Sequence, residues 1–93
     1  MNIIQSQIRS VLPELKSRYP IIEMAIFGSQ ARGDATKESD VDILVSFHGA
    51  VGIEFIDLAD ELEKILGKKV DLITMESLKP RQWDYLKNQI VYV

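Results

Sequence analysis

Cysteine is absent from this chain, and histidine occurs once, as His48. Disulfides and thiolate metal centres are therefore excluded, and no histidine cluster exists, so any bound metal must be held by oxygen. Oxygen donors favour a hard ion such as Mg²⁺. Long apolar runs are missing too; none reaches the roughly 18 residues of a membrane span. The opening Met1-Asn2-Ile3-Ile4-Gln5 has neither the basic stretch nor the apolar core of a signal peptide, so the expected location is the cytoplasm. A basic surplus is also lacking: the net charge is −3, which argues against a broad face for duplex nucleic acid. Repeats, linkers and low-complexity tracts are absent. The 93 residues are expected to form a single domain, 1–93, near the lower limit for an unaided core.

What is present is clear patterning. Ile4, Ile8, Val11, Leu12, Leu15 and Tyr19 recur at three and four, which predicts an amphipathic helix that Pro13 kinks or restarts near Val11. Residues 21–27 are rich in strand formers and predict a buried strand. Residues 28–39 carry Gly, Ser, Thr and Asp and read as a loop with room for one helical turn. A second strand is expected over 40–47 and ends at His48-Gly49-Ala50-Val51-Gly52. Phe55, Leu58, Ala59, Leu62, Ile65 and Leu66 mark a helix over 53–66, stopped by Gly67. A third strand follows at 69–74. Ser77 or a neighbour is placed to cap a last helix with Pro80 in its first turn, running to about Asn88. The tail 90–93 reads as a short strand or a partner-facing segment.

This order predicts an α/β fold: a small mixed sheet of three or four strands flanked by helices. Helix 53–66 fits a right-handed crossover between parallel strands two and three. The loop before strand two is too short for one, so strands one and two should be antiparallel. That topology carries Gly28-Ser29, Asp40, Asp42 and Asp71 to one rim of the sheet.

Asp40 and Asp42 are two apart, so on a strand their carboxylates leave the same face. Close carboxylates repel unless a cation lies between them, and a third, Asp71, completes the oxygen set of a two-metal clamp at phosphorus. The net charge of −3 matches these three acids. Gly28 lets a phosphate approach the backbone, Ser29 adds a hydroxyl donor, and amides opening a helical turn favour an anion. Arg32 and Lys37 lie in the same loop, placed to neutralise a triphosphate.

The stretch from Phe27-Gly28-Ser29-Gln30-Ala31-Arg32-Gly33 to Ser39-Asp40-Val41-Asp42-Ile43-Leu44-Val45 resembles the signature of the DNA polymerase beta nucleotidyltransferase superfamily: Gly-Ser, ten residues, then Asp-x-Asp. Its Ala-Arg-Gly and Ser-Asp variants, in so short a chain, resemble the minimal nucleotidyltransferases, and Val70-Asp71-Leu72 is similar to their third-carboxylate segment. The resemblance runs from about Ile21 to the end. It implies a polymerase-beta-like mixed sheet, ATP with Mg²⁺, and pairing with a helical HEPN-type toxin. Within such pairs the small protein is the antitoxin, and some members place AMP on a tyrosine of the toxin.

On this reading Asp40, Asp42 and Asp71 are the catalytic and metal-holding residues, and Gly28, Ser29 and Arg32 hold the nucleotide. Asp71 also receives the acceptor's proton. Blander readings stand beside it: Ser29 as a helix cap, Arg32 as a surface cation, and Asp34, Lys37, Glu38 and Ser39 as solvated loop. Glu54, Asp57, Asp60, Glu61 and Glu63 read as the wet face of helix 53–66, and His48 as a loop residue. Trp83, Tyr85, Tyr92 and Val93 read as packing, with a partner surface as the alternative. Two rivals in function remain: an antitoxin acting by contact alone, and transfer to a small molecule, for which the chain has no second domain.

Overall fold

The computed structural model describes residues 2–93. Helix α1 (Ile3–Arg18) leads into β1 (Ile21–Phe27), the short α2 (Gly28–Arg32) and β2 (Val41–Phe47). Then come α3 (Ile53–Leu66), β3 (Val70–Thr74), a 3₁₀ turn at Met75–Ser77, α4 (Pro80–Leu86) and β4 (Val91–Tyr92). The sheet order is β3-β2-β1-β4. As expected, β1 and β2 are antiparallel and β2 and β3 parallel, with α3 as the crossover. The tail resolves as a strand: β4 pairs antiparallel with β1, and the Val93 amide donates to the Met24 carbonyl at 3.0 Å.

One sheet face carries the core. Val41, Ile43, Val45 and Phe47 alternate along β2 and are buried against Ile4, Ile8 and Leu15 of α1 and Leu58, Leu62 and Leu66 of α3. Each such side chain contributes about 1.5–3 kcal/mol on burial. This is why α1 runs as one helix through Pro13, with no restart near Val11: apolar anchors on both sides of the proline offset its cost of about 3 kcal/mol. Gly67 ends α3 in the left-handed conformation, at φ 64°, as the sequence predicts.

Several boundaries differ from expectation. Strand β2 starts at Val41, not Asp40, because the ladder opens where the Val41 amide donates to the Lys69 carbonyl at 2.9 Å. Strand β3 begins one residue later than predicted, at Val70. The cap of α4 is Lys79, not Ser77, which is drawn into the 3₁₀ turn; the Lys79 amide donates to the Gln82 side chain at 2.8 Å. Helix α4 stops at Leu86, where the Gln89 amide turns back to the Leu86 carbonyl at 2.7 Å. Among the described residues no helix is long and apolar enough to cross a membrane.

Candidate active site

Three elements meet at one rim of the sheet: the end of β1, the start of β2 and the start of β3. Phe27 is the cross-strand partner of Asp42, and Asp42 is the partner of Asp71. Cross-strand partners share a face, and Val41, Ile43, Val70 and Leu72 on either side of them are buried in the core. Asp42 and Asp71 therefore project from the opposite face, on strands roughly 4.8 Å apart. Asp42 is half-buried and Asp71 exposed.

Gly28 closes the rim from the other side. Its φ is 70°, and a Cβ there would strike the Asp42 carboxylate, so both backbone and space require glycine. Ser29 follows as the second residue of α2, half-buried; the cap position belongs to Phe27, which supplies no side-chain bond. The cap reading of Ser29 is thus not realised. Gly33 ends the turn in the left-handed conformation, and its amide donates to the Ser29 carbonyl at 2.9 Å.

The electrostatics join the acids. Burial, then the charge of Asp71 and then that of Asp40, push the Asp42 carboxyl up from its ordinary 3.8, and only Arg32 opposes them. Asp40 lies exposed just outside β2. Arg32 is exposed as well, and its Nε donates to Asp34 Oδ2 at 3.2 Å, so Asp34 is an ion-pair partner and not only solvated loop. Lys37 is tied by its backbone: its carbonyl accepts from Lys68 Nζ at 3.0 Å, close to the start of β3. Among the described residues no three carboxylate or imidazole groups form a ready cation cage. The donors nonetheless suit Mg²⁺: all are carboxylate oxygens, and the charges of Asp71 and Asp40 both act on Asp42.

Some positioning residues lie outside the motif. Asn2 caps α1 by accepting from the Gln5 amide at 2.7 Å, and its Nδ2 donates to the Gln30 carbonyl in α2 at 3.0 Å. Gln30, the buried polar residue of α2, is thereby held from the chain's N-terminus. The usable signal was an Asn directly before an amphipathic run. Glu63 is not part of a wet helix face; its Oε2 accepts from the Val70 amide at 2.9 Å and so fixes the start of β3 beside Asp71. Glu61 is not free on that face either: its Oε1 accepts from Arg18 of α1 at 2.5 Å. Both acids cover groups that helical periodicity alone cannot reveal.

Residues 8–93 match the nucleotidyltransferase domain family. The protein adenylyltransferase MntA of Thermococcus cleftensis is 40% identical over 91 residues, covering 97% of this chain and 92% of that protein. A solved structure assigned to a minimal nucleotidyltransferase superposes with a TM-score of 0.82 at 31% identity, covering 97% of this chain and 92% of that one. A complex of tri-AMPylated HEPN toxin with its MNT antitoxin, from Shewanella oneidensis, contains a chain of the same fold. The TM-score there is 0.71 at 22% identity, with 97% of this chain and 71% of that one covered.

Proposed function

From the premise that this chain belongs to the nucleotidyltransferase domain family, we propose that it moves AMP from Mg²⁺-ATP to a protein hydroxyl. On this proposal the acceptor is a HEPN-type toxin and the chain is its antitoxin, working as a single domain. The observation that carries the proposal is the rim itself: Asp42 paired with Asp71 across β2 and β3, with the side-chain-free Gly28 against Asp42. The identity to an adenylyltransferase along nearly the whole chain supports the nucleotide, and the fold shared with a toxin-bound antitoxin accords with the partner.

Asp40, Asp42 and Asp71 would hold Mg²⁺, which when bound neutralises phosphate charge and lowers the pKa of the acceptor hydroxyl. Gly28 admits the triphosphate to the backbone, Ser29 donates a hydroxyl, and Arg32 offers countercharge. The acceptor oxygen forms a bond to the α-phosphorus while the bond from that phosphorus to the bridging oxygen breaks. Pyrophosphate departs with the electron pair, and Asp71 takes the acceptor's proton.

The test is to incubate the protein with Mg²⁺, ATP labelled at the α-phosphate and a purified HEPN-type protein from the same organism. Label on that protein is the expected result. Its absence, with nucleotide bound, would favour an antitoxin acting by contact.

A further inference from the structure

The sheet face that carries Asp42 and Asp71 continues away from the rim. Ile73 lies one side-chain step further along β3 than Asp71, beside Leu44 of β2. Two residues of strand span roughly 6.6 Å. Ile73 forms the floor of an open groove of about 460 Å³, whose other walls are Leu78, Arg81, Gln82, Tyr85 and Leu86. The walls are almost wholly apolar, the pattern of a site that takes a hydrophobic group and orients it with a few polar ones. Tyr85 is 72% exposed, so this ring is not serving as core. Among the described residues Arg81 has no ion-pair partner, whereas Lys87 on the same helical segment is paired with Asp84 at 3.5 Å.

We infer that this groove between α4 and β3 seats the acceptor polypeptide, with an aromatic or large aliphatic side chain next to the accepting hydroxyl on Ile73 and Tyr85, and an acidic neighbour opposite Arg81. The inference rests on the proposed transfer reaction. In-line displacement at phosphorus decides between the two possible occupants, acceptor and nucleoside. The leaving pyrophosphate is assigned to Gly28 and Ser29, on the β1 side of Asp42. An attacking oxygen must come from the opposite side of the phosphorus, which is the side of Asp71 and β3. Ile73, two residues along β3 from Asp71, brings the groove to that side. The base, joined to the phosphorus through the ribose oxygen, does not lie on this axis.

Tyr85→Ala, Arg81→Glu and Arg81→Lys change exposed side chains and leave the carboxylates untouched. Each is compared with wild type for binding of the purified HEPN-type partner without ATP, for KM toward that partner and toward ATP, and for calorimetric affinity for Mg²⁺-ATP. Tyr85→Ala and Arg81→Glu should each weaken partner binding and raise its KM about tenfold or more, Arg81→Lys should restore most of the loss, and ATP values should stay within about twofold. A rise in the KM or dissociation constant for ATP would make the groove the nucleoside's and overturn the inference. Unchanged values throughout would also overturn it. If wild type binds the partner but transfers nothing, the reaction fails as a reading, and the groove is judged on affinity alone. If wild type neither binds nor modifies the partner, both readings fall.

Discussion

Asp42 concentrates the opposing demands of the rim. Its backbone is fixed between β1 and β3, and its carboxyl is pressed upward by burial and by Asp71 and Asp40. A folded-state pKa above the unfolded one means that the folded protein binds this proton more tightly. Asp42 therefore favours folding at low pH, and that contribution is lost as pH rises from 3.8 through the raised value. Asp42→Asn should consequently raise the Tm of metal-free protein at pH 7 in chelator, with the gain fading as pH falls toward 3.8, while AMP transfer is abolished. Thermal melts at several pH values with a transfer assay check both halves; a folded variant with full activity would remove Asp42 from the site. Asp71 has a different expectation, since it is exposed on an edge strand and, on the proposed mechanism, receives the acceptor's proton. Asp71→Asn should bind Mg²⁺-ATP nearly as wild type does, while transfer falls about a hundredfold or more. Calorimetry and kinetics on one preparation separate this from a parallel loss of both, which would place Asp71 among the nucleotide-holding groups.

At the scale of elements, the rim depends on segments that contribute no functional group. Asn2 both caps α1 and ties α2 through the Gln30 carbonyl. Asn2→Ala should destabilise the fold by about 1 kcal/mol, the usual cost of a lost cap, and should also loosen α2, so that ATP affinity falls along with Tm. A change in Tm without one in affinity would show the cap to be structural only. At the surface, Arg18 and Glu61 join α1 to α3, and the bond to Arg18 holds the Glu61 carboxyl below its ordinary 4.5. The sign is opposite to that of Asp42: this stabilisation is fully present above 4.5 and is lost as pH falls through the lowered value. Glu61→Gln should cost at most about 1 kcal/mol at pH 7, because the pair is partly solvated, and nothing once wild-type Glu61 is protonated. Chemical denaturation at pH 7 and at successively lower pH would reveal the difference. The periodicity of 53–66 gave no sign of this pair or of the bond from Glu63 to Val70, since each depends on a group far away in the chain. The helix itself was legible, with Gly67 as its stop, because its stripe of Leu and Ile is a local property.

For the whole molecule, loop length and crossover length were enough to place Gly28, Asp42 and Asp71 together, because the segment after β1 has no room for a full crossover helix, which a parallel return usually uses, while the fourteen residues of α3 supply one. The fate of the C-terminal tail was not so constrained. Two strand-forming residues pair equally well with a partner or with an open edge of their own sheet, and nothing local in the sequence chooses between them. Val91 and Tyr92 occupy that edge, the Val93 amide reaches the Met24 carbonyl, and Gln5 Nε2 donates to the Tyr92 carbonyl at 2.9 Å. The last residues thus close the sheet and connect it to α1, the helix that also steadies α2. Truncation after Gln89 should therefore lower the Tm by about 5–10 °C, as expected for a loss of one or two kcal/mol in a domain of this size. Partner binding measured well below the new Tm should then persist, because Ile73, Arg81 and Tyr85 remain in place. A truncated chain that keeps its Tm but no longer binds the partner would instead make the tail the dedicated interface, and β4 an edge that the partner covers.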